Sequence, residues 1–170
     1  MNRRSILGLS AVAAGLVLLS NSVVAQQKSL KDQLVGSWTL VSTEVTQTDG
    51  KKRQDFSANP KGILILDAGG RYAAVQAKPD RPKFKDTGNL RLDTPAAEFG
   101  EAARAFAGNF GTWSVNEGDK TLTRRLEVAL IPNAEGSETK AAVSLTGDDL
   151  KLVATSPAGV RTDSVYRRAK

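Results

Sequence analysis

The chain of 170 residues contains no cysteine and no histidine. The first absence excludes disulfides, thiolate metal sites, thiol catalysis and anchoring through a lipid-modified cysteine, so the fold must be held by a hydrophobic core. The second removes Ser-His-Asp catalysis, imidazole-ligated metals and the usual proton shuttle of neutral pH. Aromatic residues are scarce, at 5% of the chain. No aromatic stacking motif accompanies the basic clusters Lys51-Lys52-Arg53 and Lys78, Arg81, Lys83, Lys85. Those clusters therefore read as solvated loops, and no nucleic-acid partner is expected. No glycine-rich loop follows a strand and opens a helix, so nucleotide binding has no support; Gly69-Gly70 is a hairpin turn. The expectation is accordingly no cofactor, no metal site and no assigned catalytic residue.

The first 25 residues have the organisation of an export signal. Asn2-Arg3-Arg4 supplies the positive start, Ile6 to Leu19 the apolar run and Val23-Val24-Ala25 the small-residue cleavage site. The apolar run is shorter than the ~20 residues that a spanning helix needs, which argues against a membrane anchor that outlasts signal removal. Arg3-Arg4-Ser5-Ile6-Leu7 resembles a twin-arginine signal, so either that route or ordinary secretion fits, and the predicted location is periplasmic or secreted. Removing two of the 24 basic residues lowers the net charge from +6 to +4. The remaining residues, 26–170, make one domain, because two would each be too small to bury an adequate core.

Ser29 to Leu34 predicts a single helical turn, capped by Ser29, with Leu30 and Leu34 on one face. Alternating or β-branched runs then predict strands at Trp38 to Gln47, Ile63 to Asp67, Arg71 to Lys78, Phe110 to Val115, Thr121 to Leu130, Thr139 to Thr146, Leu150 to Thr155 and Val160 to Arg168. The unbroken apolar run at Ile63 to Leu66 predicts a strand covered on both faces. Pro79 to Leu92 reads as a long surface loop. A helix is expected from Thr94-Pro95, with Phe99, Ala102, Ala103 and Phe106 on one face and Gly108 as its stop, serving either as packing against the wall or as a lid. Eight strands joined mainly by short turns predict an all-β, antiparallel up-and-down barrel with one helix between the third and fourth predicted strands. Closure removes exposed edges, and about eight strands enclose room for one small ligand.

Several motifs carry a family resemblance: Gly36-x-Trp38 with Leu40-Val41-Ser42, then Asn59-Pro60-Lys61-Gly62, Phe110-Gly111-Thr112-Trp113 and Pro132-Asn133. Together they resemble the bacterial and fungal lipocalin-like domain family, with a calycin-type barrel. The resemblance covers the chain from about Leu34 onward. It implies that Trp38 faces inward, that the first helical turn closes one end and that an Arg of the last strand, Arg167 or Arg168, packs over Trp38. It brings no agreed reaction, and any role that a relative gives to a His on the fifth strand is lost here.

Alternation places Trp38, Leu40, Ser42 and Glu44 on one face of the first strand. Glu44 is therefore a candidate interior carboxylate or a rim group in water. Arg124 shares its face with Leu122, Leu126, Val128 and Leu130, and a guanidinium among aliphatic groups needs a partner, either Glu44 or an acidic ligand, unless its stem reaches solvent. Tyr72 and Gln76 alternate on the third strand, and Trp113 and Tyr166 stand in the fourth and last. Ala73, Ala74 and Ala77 leave room beside them. The candidate ligand-binding residues are thus Trp38, Glu44, Tyr72, Gln76, Trp113, Arg124 and Tyr166. The favoured function is binding of a small, mostly apolar or amphipathic molecule inside the barrel. The alternatives are a cofactor-free isomerase or cyclase using Glu44 with Tyr72 or Arg124, and an envelope protein-interaction module.

Overall fold

The computed structural model describes residues 28–85, 88 and 94–170. The signal segment expected over the first 25 residues lies outside them. Among the described residues no helix is long and apolar enough to cross a membrane.

The chain runs through α1 (Leu30–Leu34), β1 (Gly36–Thr46), β2 (Lys52–Gln54), β3 (Lys61–Leu66), β4 (Arg71–Ala77), α2 (Ala96–Arg104), β5 (Phe106–Asn116), β6 (Thr121–Ala129), a 3-10 turn (Pro132–Ala134), β7 (Glu138–Thr146), β8 (Asp149–Thr155) and β9 (Arg161–Arg168). The strands form one antiparallel sheet in the order β2-β1-β3-β4-β5-β6-β7-β8-β9, which β1 closes by pairing with β9. The eight strands of this closed barrel are β1 and β3 to β9. The additional strand, β2, lies within what the sequence presented as a basic turn cluster. It takes the edge of β1 at Glu44 to Thr46, while β3 takes the same edge at Gly36 to Thr39. The two therefore act as one strand interrupted by residues 55–60, where Phe56 and Ser57 adopt positive φ.

One end of the barrel is filled. Leu34, Trp38, Leu64, Leu66, Leu122 and Leu150 are essentially inaccessible, and burial of such side chains contributes about 2 kcal/mol each. Helix α1 covers this end. The Ser29 hydroxyl accepts from the Asp32 N–H at 3.0 Å, and the Glu117 carboxylate, on the β5–β6 turn, accepts from the Leu30 and Lys31 N–H groups at 2.8 and 2.9 Å. The sequence-predicted cap is therefore present, and a carboxylate far away in the chain ties the helix to the barrel.

The other end differs from expectation in two respects. Helix α2 stops at Arg104 rather than near Gly108, because Phe106 pairs with Ala77 and extends the β4–β5 ladder. No α2 side chain is buried; Phe99 stacks on Phe84 at 6.1 Å instead of packing against the wall. The strand β3 is covered on its inner face only. Ile63 and Ile65 are 38% and 40% exposed, and register places Ile65, Ala73, Phe110 and Val128 in one row across the outer wall. An apolar run thus marks here a strand with a half-exposed apolar back.

Strand β6 carries a bulge where the register shifts between Phe110 and Gly111, so that Gly111 faces Leu126 while Phe110 faces Val128. The shift turns Val128 outward, where it is 46% exposed, and leaves Leu130 39% exposed, against the expectation that both share the Arg124 face. The bulged backbone crowds Gly111. A Cβ there would lie 2.0 Å from the Arg125 carbonyl oxygen and 2.9 Å from the Glu127 nitrogen, so only glycine fits. Gly111→Ala is expected to lower stability by about 3 kcal/mol or to prevent folding. Denaturant unfolding checks this, and a midpoint equal to that of the parent protein would contradict the bulge.

Candidate functional site: a half-hollow barrel interior

The closed end is locked by the residues that opened the family resemblance. The Trp38 indole N–H donates to the Leu34 carbonyl at 2.8 Å, and the Arg168 guanidinium lies 4.1 Å from the indole ring centroid. Arg168 also donates to the carbonyls of Val35 at 3.2 Å and Gln33 at 2.6 Å. A Cβ on Gly36, whose φ is +135°, would meet Arg168 at 3.0 Å, so the Gly of Gly-x-Trp makes room for the cation that covers the Trp. Alternation along β9 selects Arg168 for this role. Arg167 points outward and pairs with Asp149 at 2.8 Å.

Toward the opposite end the inward side chains become small or polar: Ala74 and Gln76 on β4, Ala107 and Asn109 on β5, Thr162 and Ser164 on β9. They leave a cavity of about 140 Å³ that Thr43, Arg124 and Tyr166 also line. A second, open hollow of about 340 Å³ adjoins it and shares Ala107 and Asn109. This outer hollow is largely apolar, with Phe56, Phe106, Leu126, Leu130 and Ile131 among its walls. The interior is thus graded from an aliphatic plug, through a polar chamber, to an apolar mouth.

Arg124 projects inward from β6, between Trp113 on β5 and Thr139 on β7. Its guanidinium lies 5.5 Å from the Tyr72 ring centroid. Among the described residues no carboxylate forms an ion pair with it. Three hydroxyls on or next to the chamber, those of Thr43, Tyr72 and Thr139, are buried and have no hydrogen-bond partner. Thr43 is only 1% exposed. Asp55 also lines the chamber; its backbone N–H donates to the Thr43 carbonyl at 2.8 Å and its carboxylate pairs with Arg53.

Of the candidate residues, Gln76, Arg124 and Tyr166 line the chamber. Tyr72 lies beneath Arg124 in the core. Trp38 and Trp113 belong to the packed end, where the Trp113 indole N–H donates to the Asp67 carbonyl at 3.0 Å. Glu44 is a correction: it stands on the outer wall. The register of β1 against β9 shifts between Leu40 and Ser42, and this bulge reverses the alternation. Thr43 and Val45 turn inward, whereas Glu44 turns outward to pair with Lys52 at 2.9 Å. There it sits opposite Asp163, whose own partners are Arg161 and Lys151. The hydrogen bond from Arg161, assisted by Lys151, holds the Asp163 carboxyl far below the usual carboxylate range. The residues missed in the sequence, Thr43, Asn109, Thr162 and Ser164, are small and polar. Only the alternation of Thr162 and Ser164 with Tyr166 was available to signal them. Among the described residues no group of acidic side chains is arranged to hold a metal ion.

The chain has two tyrosines, and both face inward. Burial raises the pKa of each above the ordinary phenol value, and the Arg124 charge opposes that rise. Above about pH 10 an unfolded tyrosine loses its proton, whereas the folded phenols retain theirs. The stability they confer is therefore complete below that pH and is lost as the pH rises through the higher folded values. Ultraviolet titration of tyrosinate is expected to show both phenols ionising above the free value, in step with unfolding. A phenol that ionises normally while the protein stays folded would contradict its burial.

The lipocalin-like domain model matches residues 35–167. Among curated proteins none matches the chain. Similar solved structures include a lipocalin-like protein from Bacteroides uniformis, at 17% identity and a TM-score of 0.41, covering 80% of this chain and 98% of that one. Another is fatty-acid-binding protein 1 of Echinococcus granulosus, at 13% identity and a TM-score of 0.39, covering 82% and 99%. A redesigned β-barrel is similar at 12% identity and a TM-score of 0.43, covering 84% and 100%. With a family match spanning most of its length and a sheet closed by β1 against β9, the chain belongs to the lipocalin-like domain family.

Proposed function

We propose that the protein is exported and that its barrel sequesters a small, amphipathic, mostly apolar molecule. The observation that carries this reading is the gradation of the interior: the plug stops short of the mouth, leaving a chamber joined to an apolar hollow. Such an arrangement removes apolar ligand surface from water while a few polar groups orient what enters. The isomerase or cyclase reading required Glu44 to converge with Arg124 or Tyr72. Glu44 lies on the other side of the wall, paired with Lys52, so that acid–base arrangement is not assembled. The export half of the proposal rests on the leader-like organisation of residues 1–25.

Native mass spectrometry of protein purified from the envelope fraction tests both halves. The expected species begins at Gln26 and carries an adduct that organic extraction removes. Ala74→Phe, which fills the chamber, is expected to abolish the adduct without unfolding the barrel. An uncleaved chain would contradict export, and an adduct-free protein that also binds no added amphipath would contradict the carrier reading.

A further inference from the structure

The outer wall of β3 and β4 is an apolar face with charges at its ends. On β3 the outward residues are Lys61, Ile63 and Ile65. Asp67 follows them at the hairpin turn, where its N–H donates to the Arg71 carbonyl at 2.9 Å. On β4, Val75 stands opposite Ile63 and Ala73 opposite Ile65, and Phe110 on β5 continues the Ala73 row. Ile63, Ile65, Val75 and Phe110 all remain exposed. An antiparallel sheet with one face in water normally alternates apolar side chains inward with polar ones outward. Four large apolar neighbours on three adjacent strands break that rule, and a contiguous patch of this kind marks a surface of association. It lies on the far side of the wall from the chamber, so what covers it is independent of the carrier reading.

We propose that this wall is the contact of a two-fold dimer, its occupant being a second copy of the chain with β3 antiparallel to β3. The charge pattern selects both the occupant and its direction. Lys61 and Asp67 carry opposite signs at opposite ends of one apolar row, about 20 Å apart along the strand. Among the described residues Lys61 forms no ion pair, and the Asp67 carboxylate accepts only from the Arg71 backbone N–H, at 2.7 Å. A two-fold axis between the facing walls, crossing the strands at Leu64 and Ala74, sets Lys61 of each copy against Asp67 of the other. An axis running along the strands would set like charge on like, which costs free energy. A lipid surface fits less well, since it would call for cations around the apolar face rather than one charge of each sign. The side chains fit the same operation. Ile63 falls against Ile65 of the other copy, and Val75 falls against Ala73, so that bulk meets space twice in one self-complementary contact. Because a barrel wall is convex, the contact is confined to β3, β4 and their immediate neighbours. That places it near the small end of stable interfaces, about 1,200 Å² in total, with a dissociation constant on the order of micromolar.

Sedimentation velocity of the mature protein, run as a concentration series through the micromolar range, is expected to show a reversible monomer–dimer equilibrium. Ile65→Lys, which places a charge at the centre of the contact, is expected to weaken that equilibrium at least about 100-fold. Its circular dichroism spectrum should match the parent's, because the side chain already faces out. Zero-length carbodiimide coupling of the parent protein supplies a readout independent of any variant. The expected product is an amide between Lys61 and Asp67, found by peptide mass spectrometry in the covalent dimer and absent from the monomer, whose own two residues are too far apart to couple. A protein that sediments as a monomer throughout the series would overturn the proposal. So would a dimer that survives Ile65→Lys, or a covalent dimer joined only through other residues. None of these outcomes bears on the carrier reading, which the bound adduct tests separately.

Discussion

The pairing of β1 with β9 is the constraint on which the rest of the molecule depends. A meander of eight strands has two free edges, and each would expose a row of unpaired backbone groups. Here those two edges meet from Trp38↔Arg168 to Thr46↔Arg161. The side chains at the start of that seam do additional work. Arg168 crosses back over the Trp38 ring and donates to carbonyls of the segment leading into β1, so one side chain links closure of the sheet, docking of α1 and burial of the plug. The lack of any cysteine makes this the mechanical centre of the fold.

The seam is not regular, and its irregularity sets the chemistry of the interior. The bulge between Leu40 and Ser42 lets β1 present Trp38 and Leu40 to the plug and then Thr43 to the chamber. The opposite edge of β1 is divided between β3 and β2. A regular strand would have put Glu44 on the inner face. The actual strand leaves Glu44 in an outer network with Lys52 and beside Asp163. The unbalanced interior cation is therefore a product of backbone geometry as much as of residue choice.

The architecture was legible in the sequence because it rests on local signals: alternation, turn residues and the Gly36-x-Trp38 motif. The inward placement of Gln76, Arg124 and Tyr166 was legible too, since alternation is unbroken around them, whereas the resemblance left Arg167 and Arg168 both open for the place over Trp38. What escaped lies beyond a register shift. Glu44 and Thr43 exchanged faces at one bulge, and Val128 and Leu130 left the Arg124 face at another. A bulge depends on which residue of a partner strand comes opposite, and that information is not local. Gly111 illustrates the point, because its place in a motif was visible whereas the Arg125 carbonyl that requires it was not. The helix boundary failed for a related reason: Phe106 fits the helical face and Gly108 a helix stop, but pairing with β4 claimed both.

The central claim is that the interior is hollow between the plug and the mouth, with an unpaired guanidinium facing the space. A crystal structure of the mature protein, purified without delipidation, tests it most directly. The account predicts electron density for a bound molecule in the chamber lined by Gln76, Asn109, Arg124 and Tyr166. It would be contradicted by an Arg124 side chain turned out to solvent or bonded to Asp55, with the chamber closed by its neighbours.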